Sequence, residues 1–201
     1  MSELKNYVRF TSDNPKLDFS FLYPGDWQLR EVKGAGHDEV SILGPRNKED
    51  TYSLGLTVSV LPAKAIGGQH TRLSEFIADY LTKNQRFAKF QEISRATGNL
   101  AGADATEIEI SYVMPLPINT VNPRATSIVE RSIFLKKGDH FYEVTYGAVE
   151  EDYYEYLNVF KDMVRTFEFR EDAHRRVYRP LVVPAPAPTI REGSTEYKTG
   201  E

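Results

Sequence analysis

Apolar and polar residues alternate along much of the chain, the pattern of half-buried β-strands. The clearest example is 53–60, where Leu54, Leu56, Val58 and Val60 alternate with glycine and small polar residues. The same criteria predict strands at 7–10, 19–23, 27–31, 39–43, 53–60, 90–99, 107–114, 125–136, 142–146 and 168–170. The run from 90 to 147 is typical of a meander of hairpins, so we expect its strands to be antiparallel.

Two segments carry their apolar residues at helical spacing instead. The first extends from Leu73 to Phe87, with Thr71 as the expected N-cap. The second extends from about Glu150 to Phe167, and its three leading acidic residues suit the positive end of a helix dipole. Each helix has one apolar face and must therefore lie against a flat surface. The order of elements predicts an α+β domain, an antiparallel β-sheet flanked by helices, and argues against a βαβ nucleotide-binding fold.

Two short segments are interpreted as turns. Between Phe19 and Trp27 an alternating strand meets Pro24 and Gly25 and then the only tryptophan of the chain, which we interpret as the opening hairpin of the sheet. The glycine-containing segment 34–36 does not continue into a dinucleotide-binding loop, and it is interpreted as a second hairpin turn.

Length and composition predict one domain and a tail. The 201 residues suffice for a full hydrophobic core over 1–170. Proline becomes frequent after 170, so 171–201 is expected to be an extended or disordered tail. A net charge of -4 provides no basic face for nucleic acid. The absence of cysteine excludes disulfides, thiolate nucleophiles and cysteine-ligated metals.

The sequence shows neither a membrane-spanning segment nor a secretory signal. No apolar run approaches the roughly 20 residues of a membrane span, and the first residues lack the layout of a secretory signal. The sequence therefore predicts either a cytoplasmic protein or one whose targeting segment has been removed.

Histidine and aspartate pairs are the candidates for metal binding or catalysis. His37 and Asp38 share a polar loop, and Asp139 and His140 lie at a predicted hairpin tip. Such groups suit a divalent cation such as calcium, manganese or zinc. Neighbours in an extended segment point to opposite sides, however, which favours a solvated loop over a joint metal site. No nucleophile elbow, phosphate-binding loop or zinc-protease motif accompanies them.

The segment 114–124 is the candidate for partner binding. It joins two long strands, is longer than a tight hairpin requires, and carries Leu116, Ile118 and Val121 between prolines. Apolar residues exposed on a stiff loop favour docking to another protein. The alternative is that these side chains fold back onto their own sheet.

Several motifs together resemble the PsbP family, the extrinsic proteins of photosystem II, and their PsbP-like relatives. They are Tyr-Pro-Gly-Asp-Trp at 23–27, Ala-Gly-Ala-Asp-Ala at 101–105, Gly-Asp-His-Phe-Tyr at 138–142, and Phe-x-x-Met-Val-x-x-Phe at 160–167. The resemblance covers roughly 7–169. It implies an α/β/α sandwich, a fold shared with a Ran-binding nuclear-import factor.

The resemblance also implies a function. A PsbP-like protein would be non-catalytic, would lie in the thylakoid lumen or another extracytoplasmic space, and would associate peripherally with lumenal subunits of photosystem II. There it would help the oxygen-evolving complex to retain calcium and chloride.

Two other functions stay open. One is an adaptor that binds proteins through the 114–124 loop or through the proline-rich tail as a peptide ligand. The other is a small enzyme whose site is assembled in space from the His37 and Asp38 pair or from the Asp139 and His140 pair.

Overall fold

A computed structural model describes residues 6–34 and 36–170, and the predicted tail lies outside the described residues. The described chain contains ten strands, two α-helices and a short 3₁₀ turn at Lys64–Ile66. The strands and helices are β1 (Tyr7–Phe10), β2 (Phe19–Pro24), β3 (Gln28–Lys33), β4 (Asp38–Arg46), β5 (Ser53–Pro62), α1 (Leu73–Asn84), β6 (Ala88–Leu100), β7 (Ala103–Leu116), β8 (Arg124–Lys137), β9 (His140–Val149), α2 (Glu150–Thr166) and β10 (Glu168–Phe169).

The strands form two antiparallel sheets. The larger sheet has seven strands in the order β3-β4-β5-β9-β8-β7-β6, and the smaller has the order β1-β2-β10. Every strand pair is antiparallel, including the predicted meander from β6 to β9. The α+β class with an antiparallel sheet flanked by helices is therefore confirmed.

The first core lies between the larger sheet and α2. Tyr146 of β9 is fully buried, and its ring centroid lies 5.1 Å from that of Tyr153 and 5.7 Å from that of Phe160, both on α2. The smaller sheet closes this core from the other side, because Phe167, next to the end of α2, stacks on Phe19 of β2 at 5.3 Å. The alternation of strand residues accounts for this core, since β5 contributes its four predicted apolar residues to it.

The second core lies under α1 on the opposite face. Phe76 and Tyr80 of the helix are buried against Phe134 of β8, with ring centroids 5.8 and 4.7 Å away respectively. Phe141 of β9 packs beside them, 5.2 Å from Phe76. The two helices thus cover opposite faces of the same sheet, as an α/β/α arrangement requires.

The predicted opening hairpin is wrong. A turn does form, with the Trp27 amide donating to the Pro24 carbonyl at 3.1 Å, but β2 and β3 belong to different sheets. Trp27 explains the divergence, because its indole packs on the bare backbone of Gly44 and lies edge-on to Tyr156 of α2. Even a Cβ on Gly44 would approach the indole to 3.0 Å. Packing against β4 and α2, which no local signal encodes, directs the chain into the larger sheet.

The boundaries of the first helix also differ from expectation. Arg72 is the N-cap of α1, not Thr71, since its backbone is extended and the helix begins at Leu73. The Glu75 carboxylate accepts hydrogen bonds from the backbone amides of both Thr71 and Arg72. The helix ends at Asn84, and Phe87 instead stacks on Tyr112 of β7 at 4.5 Å. The second helix matches its predicted bounds to within one residue. The hairpin predicted at 34–36 does connect β3 to β4.

Candidate functional site

The β7–β8 hairpin projects beyond the rest of the sheet at one end. Pairing between β8 and β9 ends at Ile128 and Val149, whereas pairing between β7 and β8 continues to Leu116 and Arg124. We call residues 113–127, the projecting strand ends and their connection, the arm. The arm is the part of the larger sheet that carries the predicted partner-binding residues.

The three predicted partner-binding residues occupy two different environments. Leu116 is only 2% exposed and belongs to the core under α1, so its side chain is not available to a partner, and the prediction is corrected there. Ile118 is 61% exposed and Val121 is 95% exposed. The two predicted alternatives therefore apply to different parts of the loop. Leu116 folds back onto the sheet and anchors the arm, whereas Ile118 and Val121 face solvent at its tip.

Charged residues surround the base of the arm. One cleft of about 300 Å³ runs along the arm beside Glu49, Pro117 and Arg124. A second, of about 290 Å³, lies between the β4–β5 connection, the start of β8 and the start of α2. Its charged lining residues are Lys48, Glu49, Arg124, Glu150, Glu151 and Asp152. Acidic groups outnumber basic groups there, so the apolar tip is flanked by a surface of negative balance.

The histidine and aspartate candidates are not brought together. Asp38 is buried on the α2 side of the sheet, where it accepts a hydrogen bond from Asn14 at 3.0 Å and pairs with Lys16 at 3.0 Å. These groups lower the pKa of Asp38, although burial alone would raise it. His37 lies in the β3–β4 connection, 3.9 Å from Glu39. The pair therefore separates, as the alternation of neighbouring residues requires.

The members of the second pair, Asp139 and His140, have different neighbours. The backbone carbonyl of Asp139 accepts a hydrogen bond from Ala63 at 2.8 Å, and His140 lines a shallow cleft with Lys16 and Asp18. Across residues 6–34 and 36–170, no three histidine, aspartate or glutamate side chains form a set that could hold a metal ion. The metal predictions for His37, Asp38, Asp139 and His140 therefore acquire no common ligand set.

The structure places His37 in one cleft with a second histidine, although no sequence motif pairs the two. His37 and His70 line one cleft of about 390 Å³ together with Asp79 and Lys83 of α1. His70 lies 3.6 Å from Asp79, which Lys83 also contacts at 2.7 Å. The two imidazoles come from segments 33 residues apart in the sequence, so only the fold places them in one cleft.

A second feature that was not predicted from the sequence is an acidic and aromatic network on the α1 face of the sheet. The Tyr80 hydroxyl donates to Glu130 of β8 at 2.7 Å, and Tyr112 donates to the other oxygen of Glu130 at 3.3 Å. Ser132 and Thr145 link this group to Glu143 of β9 through contacts of 2.8 and 3.4 Å. We call Tyr80, Tyr112, Glu130, Ser132, Glu143 and Thr145 the carboxylate network.

Desolvation dominates the electrostatics of the carboxylate network. It raises the pKa of Glu130, and it raises the pKa of Glu143 to about 8, with the neighbouring Glu130 charge adding to the effect. The pKa of Tyr80 is raised for the same two reasons. The sequence does contain a signal for this site, because Glu130 directly follows the apolar pair Ile128 and Val129 in a long central strand.

Comparisons with known proteins bear on the fold. No known protein family matches the sequence, and no curated protein matches it. Among solved structures, LpqN of Mycobacterium tuberculosis, described as involved in cell envelope biogenesis, matches with a TM-score of 0.52 and 11% identity over 81% of this chain and 89% of LpqN. A point mutant of Mog1 matches with a TM-score of 0.51 and 13% identity over 83% of this chain and 97% of Mog1.

The cyanobacterial PsbP of Synechocystis, CyanoP, matches to the same degree. Its TM-score is 0.50 and its identity 16%, over 84% of this chain and 95% of CyanoP. Identities this low show the fold alone. The expected relation to both PsbP and Mog1 is confirmed at that level: the chain has the PsbP/Mog1-like fold.

Proposed function

We propose that the protein is a non-catalytic binding or assembly module that docks to a protein partner through the tip of the arm. The exposure of Ile118 and Val121, together with the anchoring of the arm by buried Leu116, is the observation that carries this proposal. CyanoP and Mog1 are proteins of the same fold, and Mog1 is described as Ran-binding, which supports an interaction role.

The physical argument rests on desolvation. A buried valine or isoleucine side chain is favoured over an exposed one by about 1.5–3 kcal/mol. At 61% and 95% exposure, Ile118 and Val121 retain most of that free energy for an intermolecular contact. The surrounding clefts carry charges of both signs with acidic groups in excess. The tip thus has an apolar centre with a charged rim, the usual composition of a protein interface.

The non-catalytic part of the proposal is supported by the separation of the candidate groups. Asp38 lies on the α2 side of the sheet and pairs with Lys16, while His140 lies in another cleft. A reaction would require a nucleophile or base, a group that orients it and a place for substrate within about 3 Å of both. Neither sequence-predicted pair provides such an arrangement.

The narrower role is an extrinsic subunit of photosystem II that supports calcium and chloride retention. The likeness to CyanoP supports it, and LpqN and Mog1 match to a similar degree. We therefore propose the broader binding role first and treat the photosystem as one specific partner. The adaptor alternative that uses the proline-rich tail falls outside the described residues and stays a prediction.

Photo-crosslinking from the tip tests the proposal. A photoreactive residue in place of Val121 in the full-length chain should capture one discrete partner in host extract, and the same residue in place of Ile66, which is 47% exposed elsewhere, should not. Ile118→Asp should abolish the adduct without changing the thermal unfolding midpoint. A point substitution is a more specific test than a deletion of residues 116–121, because the deletion would also remove the buried side chain of Leu116.

The identity of the adduct separates the two levels of the proposal. A lumenal photosystem II subunit would support the narrower role, and another single protein would support the broader one alone. Indistinguishable adducts from positions 121 and 66, or an adduct that survives Ile118→Asp, would contradict docking through the arm.

A further inference from the structure

The two edge strands of the larger sheet differ in how they are protected. An edge strand presents unpaired backbone amides and carbonyls, which invite pairing with another strand. At one edge, β3 has only six residues, of which Arg30, Glu31 and Lys33 are charged. At the other edge, β6 has thirteen residues, and every one from 91 to 99 is exposed. Short charged edges resist pairing, whereas long exposed edges permit it.

Protection of β6 is confined to its first half. Its register against β7 is irregular between Ala88 and Gln91 and again between Glu92 and Ser94, so Ile93 is an extra residue in a bulge. Lys89, in the same half, has a positive φ of 54°. From Ser94 to Leu100 the pairing with β7 is regular over seven consecutive residues. Within residues 6–34 and 36–170, no strand occupies the outer side of this segment.

We propose that residues 94–100 of β6, which we call the open edge, pair antiparallel with the open edge of a second copy of this chain. The interface would lie on a two-fold axis through Thr97 and would join two seven-stranded sheets into one. It is independent of the arm and of the proposed partner.

The sequence of the open edge is self-complementary about Thr97. In this register Ala96 lies opposite Gly98 of the second copy, so two small residues meet on one face of the sheet. Arg95 lies opposite Asn99, and no two like charges oppose each other. A Cβ on Gly98 would meet no atom within 4 Å, so the face of the sheet at this residue is uncovered and leaves room for the side chains of a second strand. Arg95, the only charged residue of the open edge, is already neutralised by Glu92 at 2.8 Å.

Thr97 is central to the test because residues on a two-fold axis face their own copies. Directly opposite residues in an antiparallel pair have Cα atoms about 4.5 or 5.5 Å apart, and disulfides form at Cα separations of roughly 4.4–6.8 Å. The chain contains no cysteine, so a single introduced cysteine reports one position. A cysteine at position 96 would lie opposite Gly98 of the second copy. The Cα atoms of the two copies of residue 96 would then be too far apart for a disulfide.

Oxidation of single-cysteine variants of the full-length chain is the first experiment. Thr97→Cys should form a disulfide-linked dimer at least tenfold faster than Ala96→Cys, and also faster than Arg30→Cys on the other edge strand. Equal rates for Thr97→Cys and either control would overturn the proposed register. The unmodified chain should show concentration-dependent dimerisation in analytical ultracentrifugation, and a monomer throughout the micromolar to millimolar range would overturn the proposal.

The second experiment places opposite charges at Thr97 in two variants and tests whether they form a heterodimer. Thr97→Lys and Thr97→Glu should each be monomeric, because like charges would meet on the axis, and their mixture should restore a heterodimer. Restoration would also show that both variants are folded. Dimers that persist in either variant alone, or a mixture of folded variants that stays monomeric, would place any self-association elsewhere.

Discussion

At the scale of single residues, the carboxylate network is the feature in which the environment changes the chemistry most. Glu143 lies beside Glu130, while Lys83 of α1 is the nearby cation that opposes the rise in its pKa. Glu39 of β4 adds a further negative charge from the neighbouring strand pair. Desolvation of two partly buried carboxyl groups on adjacent strands means that ionising both is unfavourable. The network therefore couples the stability of the domain to pH.

The sign of that coupling follows from the proton balance. The pKa of Glu143 is raised from 4.5 to about 8 in the folded state, so between these values the folded chain holds a proton that the unfolded chain has lost. The contribution of this group to stability is present below pH 4.5 and is lost as pH rises through 8. Glu143→Gln should therefore flatten the decline in the free energy of unfolding and stabilise the protein at pH 8.5 by about 2 kcal/mol.

Urea unfolding at intervals from pH 4.5 to 8.5 measures this effect. Glu151→Gln, an exposed glutamate at the start of α2, is the matched control and should leave the pH dependence unchanged. A parallel shift of the whole curve by Glu143→Gln, with no change of slope, would show that Glu143 does not titrate in this range.

The alternation of strand residues predicts which residues of β9 share a face, but not what lies above that face. Alternation places Glu143 on the opposite face from Tyr142 and Val144, and only the position of α1 makes that face a desolvated one. His37 and His70 illustrate the same limit, because their common cleft depends on how α1 packs over the sheet. Ile118 and Val121 could be predicted, since their exposure follows from a local feature, a loop too long for a tight turn.

At the scale of elements, the start of α1 shows how a helix can begin without a conventional cap. Glu75 supplies the acceptor: its carboxylate receives the backbone amides of Thr71 and Arg72 at 2.9 and 3.2 Å and the Arg72 guanidinium at 2.8 Å. These donors hold the pKa of Glu75 at about 2. The amphipathic pattern predicted the helix correctly, and the cap was missed because Thr71 contributes its backbone and not its hydroxyl.

Removing this acceptor should loosen the first turn. Glu75→Ala leaves the amides of Thr71 and Arg72 without their partner, so their hydrogen exchange should accelerate at least tenfold, as should exchange in the first turn of α1. Ser74→Ala, an exposed change in the same turn, is the control. The folded pKa is depressed, so in the wild-type chain this protection should be present above pH 4.5 and should be lost as pH falls towards 2. Unchanged exchange in Glu75→Ala would contradict the role of the carboxylate.

At the scale of the whole molecule, two sheets of unequal size share the core around α2. Phe167 connects them, because it stacks on Phe19 at 5.3 Å and on Phe21 at 6.2 Å in the smaller sheet and follows directly from the helix. The sequence predicted all ten described strands and both helices, yet it predicted one sheet. Assignment of β2 to a second sheet depends on contacts between residues more than a hundred positions apart, such as Ser20 with Glu168.

Truncation of Phe167 tests whether the two sheets unfold together. Phe167→Ala should lower the free energy of unfolding by about 3–5 kcal/mol, the range for a buried phenylalanine. Fluorescence of the single tryptophan, Trp27, and far-ultraviolet circular dichroism should report coincident transitions before and after the change. Exposed Phe87→Ala is the control and should cost less than half as much. Separate transitions in the unmodified chain would show that the smaller sheet is an independent unit.

The projection of the β7–β8 hairpin past its neighbours has a practical consequence. Its connection, 117–123, lies outside the sheet, and lengthening a surface connection costs only about 0.6 kcal/mol for each doubling. Foreign sequence, such as an epitope or a reporter domain, should therefore be accommodated between Asn119 and Asn122 while Leu116 keeps the hairpin seated. That position offers a route to tracking the protein in cells, and an insert there would at the same time shield the two exposed aliphatic side chains.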